Sequence, residues 1–593
     1  MFAAANKRSA MLLIASLLLP ALSFAEAEES GADANCFGLE HPLRRRPGHP
    51  LPDKQFCAGD GLAPAIWGAM PEFAPVPDRW RIVSALGYPE RLWDPYNGNN
   101  VLKGDRPAFG KDWFFAMALI SDSTAESRSV PTPVPIATAS EPGTLDIIGE
   151  PGQVAYNQNF ITEFVLYKGE TVFKPPDWEF RFTPVFNFNR VEVEEPGALF
   201  VDPTRGTTRN DNHVAVQALF VDKHLRNVSE RYDFDSLRVG IQPITADFRG
   251  FLFQDSPLGI RLFGTRDNNR WQYNIGLFRR IEKDTNSGLN DLGAADALRD
   301  DDVFLFNVYR QDWPVLGFTS QLALVHNRNE EDERDLIDAN GFKVRPSAFG
   351  VQPLRSYEVT YVGYNGDGHI GRWNLTASAY YAFGEERPSK VSGSDADIEA
   401  AFAAAEVSRD FDWIRVRGTV IYGSGDDDPY DDTSTGFDAI FENPLVAGAD
   451  TSFWIRQAVP LIGGGRITLS GQNGILNSLR STKTLGQSNF VNPGVLLVGL
   501  GADLDLTPKW RLTLNANQLW FDDTASLEAT RNQGGIDKNI GQDVSLTLTW
   551  RPKTSQNIVV RLAASALLPG AGYEALYGDD VPYSVLANLV LAY

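Results

Sequence analysis

The sequence predicts an all-β fold, a transmembrane antiparallel β-barrel of about 18 strands, with 16 as the alternative count. Three observations predict it. The chain ends on Tyr583-Ser-Val-Leu-Ala-Asn-Leu-Val-Leu-Ala-Tyr593, in which Tyr583, Val585, Ala587, Leu589, Leu591 and Tyr593 share one strand face and Ser584 and Asn588 the other. Apolar–polar alternation recurs along the body of the chain, in runs longer than the roughly 5–6 residues usual for soluble strands. The connections between these runs alternate between short and long, as they do where periplasmic turns are short and extracellular loops are long.

The amino terminus reads as a secretory signal peptide over residues 1–25. Lys7 and Arg8 precede the apolar run Met11–Leu22, and Ser23-Phe-Ala25 supplies small residues at the cleavage spacing. No later segment offers about 18 consecutive apolar residues, so no membrane helix is expected. Export places Cys36 and Cys57, the only cysteines, in an oxidising compartment, where one disulfide is the expected state. A zinc site is disfavoured, because His41 and His49, the nearby histidines, sit among Pro and Arg. Residues 26–110, rich in Pro and Trp, are expected to form a periplasmic cap or plug segment, with the barrel over 111–593. Net charge is −22, which makes nucleic acid a poor partner.

Taken in order, the strands are expected near 111–120, 155–169, 178–193, 213–223, 235–247, 257–265, 270–281, 301–312 and 317–327. They continue near 354–365, 371–384, 397–408, 411–424, 491–506, 509–522, 541–551, 556–568 and 583–593. Trp178-Glu-Phe-Arg-Phe-Thr183 and Val544-Ser-Leu-Thr-Leu-Thr-Trp550 show the alternation cleanly; the Ala-rich 396–407 is ambiguous between helix and strand. Short turns fall at 266–269, 313–316, 366–370, 409–410, 507–508 and 552–555, and long loops at 194–212, 282–300, 328–353, 385–396, 425–490, 523–540 and 569–582. The Pro-rich 123–153 is expected as a further extracellular loop.

With apolar residues turned to lipid, the opposite face lines the lumen. That face carries Arg181, Arg238, Arg261, Arg280, Arg372, Arg415, Arg417, Arg511 and Arg561, the candidate solute-binding residues. Glu179, Glu358, Asp503 and Asp505 supply counter-charge. Guanidinium groups bind carboxylate or phosphate in bidentate fashion and favour anions. The alternative is that these arginines pair with wall carboxylates as scaffolding. The connection 425–490 carries apolar pieces, Phe437-Asp-Ala-Ile-Phe441 and Phe453-Trp-Ile-Arg-Gln-Ala-Val-Pro-Leu461, that a solvated loop has no use for. Folding inward as a constriction is one reading and packing over the rim is the other.

At Tyr422-Gly-Ser-Gly-Asp-Asp-Asp-Pro429 followed by Phe437-Asp-Ala-Ile-Phe441, the sequence resembles the alginate-export family of Gram-negative outer-membrane barrels. The resemblance implies an outer-membrane barrel with a basic lumen gated by inward-folding loops. It transfers no substrate-contacting residue.

The function expected from these features is a channel passing polar or anionic solutes, saccharides among them, with no cofactor and no metal. A second expectation is a scaffold that docks a periplasmic protein through 26–110. An outer-membrane enzyme is a third, disfavoured because the six histidines are scattered and no Gly-x-Ser-x-Gly elbow accompanies them. Expected partners are outer-membrane lipid and lipopolysaccharide, the barrel-assembly machinery through the terminal strand, and the small solute itself. The acidic run Asp426–Asp432 could attract divalent cations, but its spacing is not that of an EF-hand.

Overall fold

Side chains in a strand alternate between two faces, so a sheet that repeats large apolar and small polar residues at period two needs an apolar environment on one side only. Closing the sheet around a lumen places the apolar face against lipid and satisfies the backbone groups strand to strand. The computed structural model describes residues 79–593 except 95–98, 134–147, 170–174, 232, 295–296, 333–335, 344–353, 390 and 458–485. The expected signal peptide, the Cys36–Cys57 pair and most of the expected cap segment lie outside the described residues.

One sheet contains 20 strands. Two are short additions, Lys103–Phe109 and Thr433–Ser434, which leaves the 18 of the barrel. These are β1 (Trp113–Ser129), β2 (Gly152–Lys168), β3 (Trp178–Val193), β4 (Thr208–Asn227), β5 (Phe234–Ile241) and β6 (Leu258–Arg266). Next come β7 (Trp271–Ile281), β8 (Leu298–Arg310), β9 (Phe318–Asn329), β10 (Ser356–Ile370), β11 (Trp373–Arg387) and β12 (Ala396–Phe411). The last are β13 (Ile414–Gly423), β14 (Val495–Thr507), β15 (Trp510–Trp520), β16 (Asn539–Trp550), β17 (Ile558–Pro569) and β18 (Tyr583–Ala592). Each pairs antiparallel with its sequence neighbours, and β18 closes on β1 with Ala125 opposite Ala587.

The outward face is a lipid belt. Leu500, Leu514, Leu546, Leu562 and Val585 stand exposed on it, while Asn515, Ser545, Thr547, Ser565 and Ser584 on the same strands point inward and are buried. At the end carrying the short turns, Trp113, Trp178, Trp271, Trp373, Trp510 and Trp550 form an interfacial girdle. Directly paired residues reinforce it: Trp510 stacks on Trp550 at 5.4 Å, and Lys223 lies 4.3 Å over Trp178. Turns at this end are tight. Gly371 and Asp412 adopt φ of 61° and 57°, the left-handed conformation that two-residue hairpin turns demand.

Several expected boundaries move. β1 begins near the expected position but runs on to Ser129, so the first residues of the expected loop 123–153 are strand. The ambiguous Ala-rich segment is strand: its even-numbered residues point inward and are buried, while Ala401, Ala403 and Ala405 face lipid. The strand expected over 235–247 stops at Ile241. The Gln242 N–H still donates to the Pro257 carbonyl, and Pro243, which has no N–H to give, ends the ladder. Beyond it Ile244–Thr245 pairs with Gln254–Asp255 in a hairpin that turns into the barrel.

Candidate lumen constriction and its charged wall

Two connections from the long-loop end fold inward and fill the middle of the barrel: 242–257 and the described parts of 424–494. Phe251, Leu252 and Phe253 of the first pack with Phe437, Ile440, Phe441, Phe453 and Phe490 of the second. The wall offers Tyr357, Tyr361, Tyr380 and Phe402 to them, all buried. A lumen wall that carries aromatics needs such a partner, because those side chains cannot reach lipid. Inward folding of the long connection is therefore the observed arrangement at Phe437–Phe441 and Phe453–Ile455.

Buried carboxylates tie both segments down. Asp247 accepts hydrogen bonds from the backbone N–H groups of Arg249, Gly250, Phe251 and Leu252, which folds that loop tip upon itself. Asp438 accepts from the Asn489 N–H at 2.7 Å and joins the outgoing and returning limbs. Asp543 on β16 accepts from the Phe453 N–H at 3.1 Å, the Trp454 N–H at 3.4 Å and Ser452 Oγ, so it anchors the first turn of the short helix Phe453–Arg456, whose N-cap is Ser452. Glu126 on β1 accepts from Arg456 Nη1 at 3.0 Å, Gln457 Nε2 at 2.8 Å and Ser584 Oγ at 2.6 Å. Arg128 donates to Gln153 and Gln457 beside it. The constriction is thus moored across β16, β18, β1 and β2, the closing seam of the barrel. On the opposite side, Arg299 grips Glu331 with two bonds of 2.9 and 2.7 Å, and Arg355 meets Glu386 at 2.6 Å.

The nine arginines singled out in the sequence fall into three groups. Arg181, Arg238 and Arg261 face the lumen from β3, β5 and β6. Arg181 pairs with Glu179 and Glu163 at 2.9 and 3.3 Å, Arg238 with Asp222 at 2.8 Å, and Arg261 bonds Asn274. Arg415, Arg417, Arg511 and Arg561 face it from β13, β15 and β17. Their partners are Asp410 at 2.6 Å, Asp503 at 3.3 Å, Asp505 at 2.7 Å and Asp450 at 3.7 Å. The remaining two are corrections. Arg280 is inward but sealed under Phe441, between Asp301 at 2.7 Å and Asp255 at 3.4 Å, and reaches no open space. Arg372 lies exposed in the turn before β11, because that strand starts at Trp373 and not at 371. Glu358 is a third correction: it faces outward beside Arg328 and supplies no lumen counter-charge. Carboxylates therefore match most of the wall arginines, and such half-exposed pairs are each worth about 0–1 kcal/mol.

One polar cavity of about 480 Å³ opens between the moored loop and the wall. Arg456 and Arg561 supply positive charge to it, Asp122 and Asp450 negative charge, and Leu445, Ile455, Leu586 and Val590 apolar surface. Arg561 holds its carboxylate loosely, at 3.7 Å from an Asp450 that is itself 66% exposed. Sequence reasoning misses Arg456, Arg128 and Glu126. Arg456 shows itself only as the charge that follows Phe453-Trp-Ile, and the other two fall within the Pro-rich 123–153, which reads as loop.

At the outer mouth, Asp426 is buried and accepts from the Thr435 N–H at 3.2 Å, with Asp431 and Glu386 nearby. Burial, helped by those two carboxylates, pushes its carboxyl up to about 7. The acidic run shows no grouping of three ligating side chains among the described residues.

No family model matches the chain, and no curated protein matches it. Solved structures similar to it include OccK9 (OpdG) of Pseudomonas aeruginosa, 13% identical over 81% of this chain and 98% of that one, with a TM-score of 0.45. A BenF-like porin from Pseudomonas fluorescens Pf-5 is 12% identical over 81% and 98%, at 0.43. OccK2 (OpdF) of Pseudomonas aeruginosa in complex with glucuronate is 12% identical over 81% and 95%, at 0.41. At such scores the likeness carries no weight for fold or solute, and the barrel rests on the chain's own closed strand pairing.

Proposed function

We propose that the protein is an outer-membrane channel for small polar or anionic solutes, constricted by its two inward loops. The observation that carries this is the cavity beneath the moored loop, where two arginines meet open lumen space and one of them holds its counter-charge loosely. A carboxylate entering between Arg456 and Arg561 replaces the weak Asp450 contact with a charge-assisted one, while Leu445, Ile455 and Leu586 receive the solute's apolar body. The balanced charges on the rest of the wall favour polar cargo generally over a strong anion filter. The resemblance at 422–441 makes an acidic saccharide of the alginate kind one candidate cargo.

Reversal potentials in a salt gradient across a planar bilayer test the reading. The expected result is a modest anion preference that Arg561→Ala weakens. Absence of any conductance, with Asp543→Ala also silent after its loop mooring is cut, would exclude a channel.

A further inference from the structure

Residues 82–93 present a run of large apolar side chains that the rest of the described chain leaves largely uncovered. Leu86 is 68% and Trp93 79% exposed, with Ile82, Tyr88 and Leu92 also exposed. Soluble surfaces rarely leave such a patch open. Its position explains it. Tyr593 stands on the lipid-facing side of the last strand, in line with Tyr583, Val585, Leu589 and Leu591, and its backbone pairs with that of Leu119. The Trp93 ring lies 5.6 Å from the Tyr593 ring. The Tyr593 hydroxyl donates to the Leu92 carbonyl, and Asn100, fully buried, donates to Tyr593 Oη at 3.0 Å and the Leu92 carbonyl at 2.9 Å. Lys103 Nζ sits 4.1 Å over the same ring.

The segment returns to the lipid side further on. The edge strand Lys103–Phe109 pairs with β1, Lys103 opposite Ala116, and places exposed Phe109 opposite Trp113, a girdle residue. Both ends of 92–109 are thus fastened to the outward, short-turn rim of the barrel. The two charges of 82–93 are paired, Glu90 with Arg106 and Arg91 with Asp94, which leaves the patch apolar and nearly neutral.

We infer that residues 82–93 are an interfacial anchor that lies in the periplasmic leaflet, extending the barrel's aromatic girdle onto the chain before its first strand. The occupant of the patch is phospholipid. Continuity with the lipid belt through Tyr593 is what selects lipid over a protein partner. This stretch accordingly runs along the membrane outside the barrel and takes no part in narrowing the lumen.

The full-length protein in phospholipid vesicles tests this. An environment-sensitive fluorophore is placed at Leu86→Cys, with Cys36→Ser and Cys57→Ser to make it unique. Blue-shifted emission quenched by lipid-borne nitroxide and insensitive to aqueous iodide is expected. Quenching by iodide alone, or protection from both quenchers, overturns the anchor; the latter outcome means a protein surface covers the patch. If that variant fails to insert, the unmodified chain is photo-cross-linked to a lipid bearing a photoreactive acyl chain. Adducts within 82–93 as well as on the belt support the anchor, and belt adducts without them refute it.

Discussion

Single residues decide whether the constriction holds. Glu126 is buried with three donors aimed at it and two arginines beside it, so its removal leaves Arg128 and Arg456 without their carboxylate. Breaking such a set costs roughly 3–5 kcal/mol. Glu126→Ala is expected to abolish hydrogen-exchange protection of the Phe453–Arg456 amides while the barrel strands stay protected. Asp543→Ala removes the acceptor of the Phe453 and Trp454 N–H groups, leaves those two backbone donors unpaired and costs about 1–3 kcal/mol. Its expected signature is a larger and noisier single-channel conductance. A conductance and noise equal to the parent's would show that the loop does not limit flow. The inward direction of seven wall arginines was legible at period two. Their pairing was not, since the register that sets Arg415 beside Asp410, or Arg511 beside Asp505, is a property of two strands and not of one.

At the level of elements, the outer part of the long connection carries the pH response. A carboxyl released from the loop loses its proton at about pH 4, whereas docked Asp426 keeps it to about 7. Docking of 424–436 is therefore strongest below the lower value and is lost progressively as pH rises toward the upper one, because the native form binds more protons between them. Exchange protection around Thr435 is expected to fall from pH 5 to pH 8 in the parent and to stay level in Asp426→Asn. A parent profile flat across that interval would sink the assignment. Most strands were readable from alternation and from turn residues. The first inward loop was not: its Phe-Leu-Phe stretch at 251–253 has strand character, and only Pro243 marks where the barrel strand ends.

For the whole molecule, closure is the sharpest claim. Ala125 and Ala587 face each other across the β1–β18 seam on the outward side. Cysteines at both positions are expected to cross-link on oxidation and to keep the protein in its compact, fast-migrating form after boiling in detergent without reductant. Failure to cross-link in folded protein would place the seam elsewhere and reassign every lumen residue. The sequence by itself determined the barrel class, favoured 18 strands over 16 and showed which face of most strands meets lipid, because period-two alternation and loop length are local and a bilayer enforces them strand by strand. β10 is the exception, since its aromatic face packs on the inward loops and Glu358 faces outward. Only the tertiary structure decided which arginines remain available, which loops fill the lumen and where the constriction is moored. Those depend on Glu126 meeting Arg456, Asp543 meeting Ser452 and Arg561 meeting Asp450, contacts between residues far apart in the chain that no periodicity records.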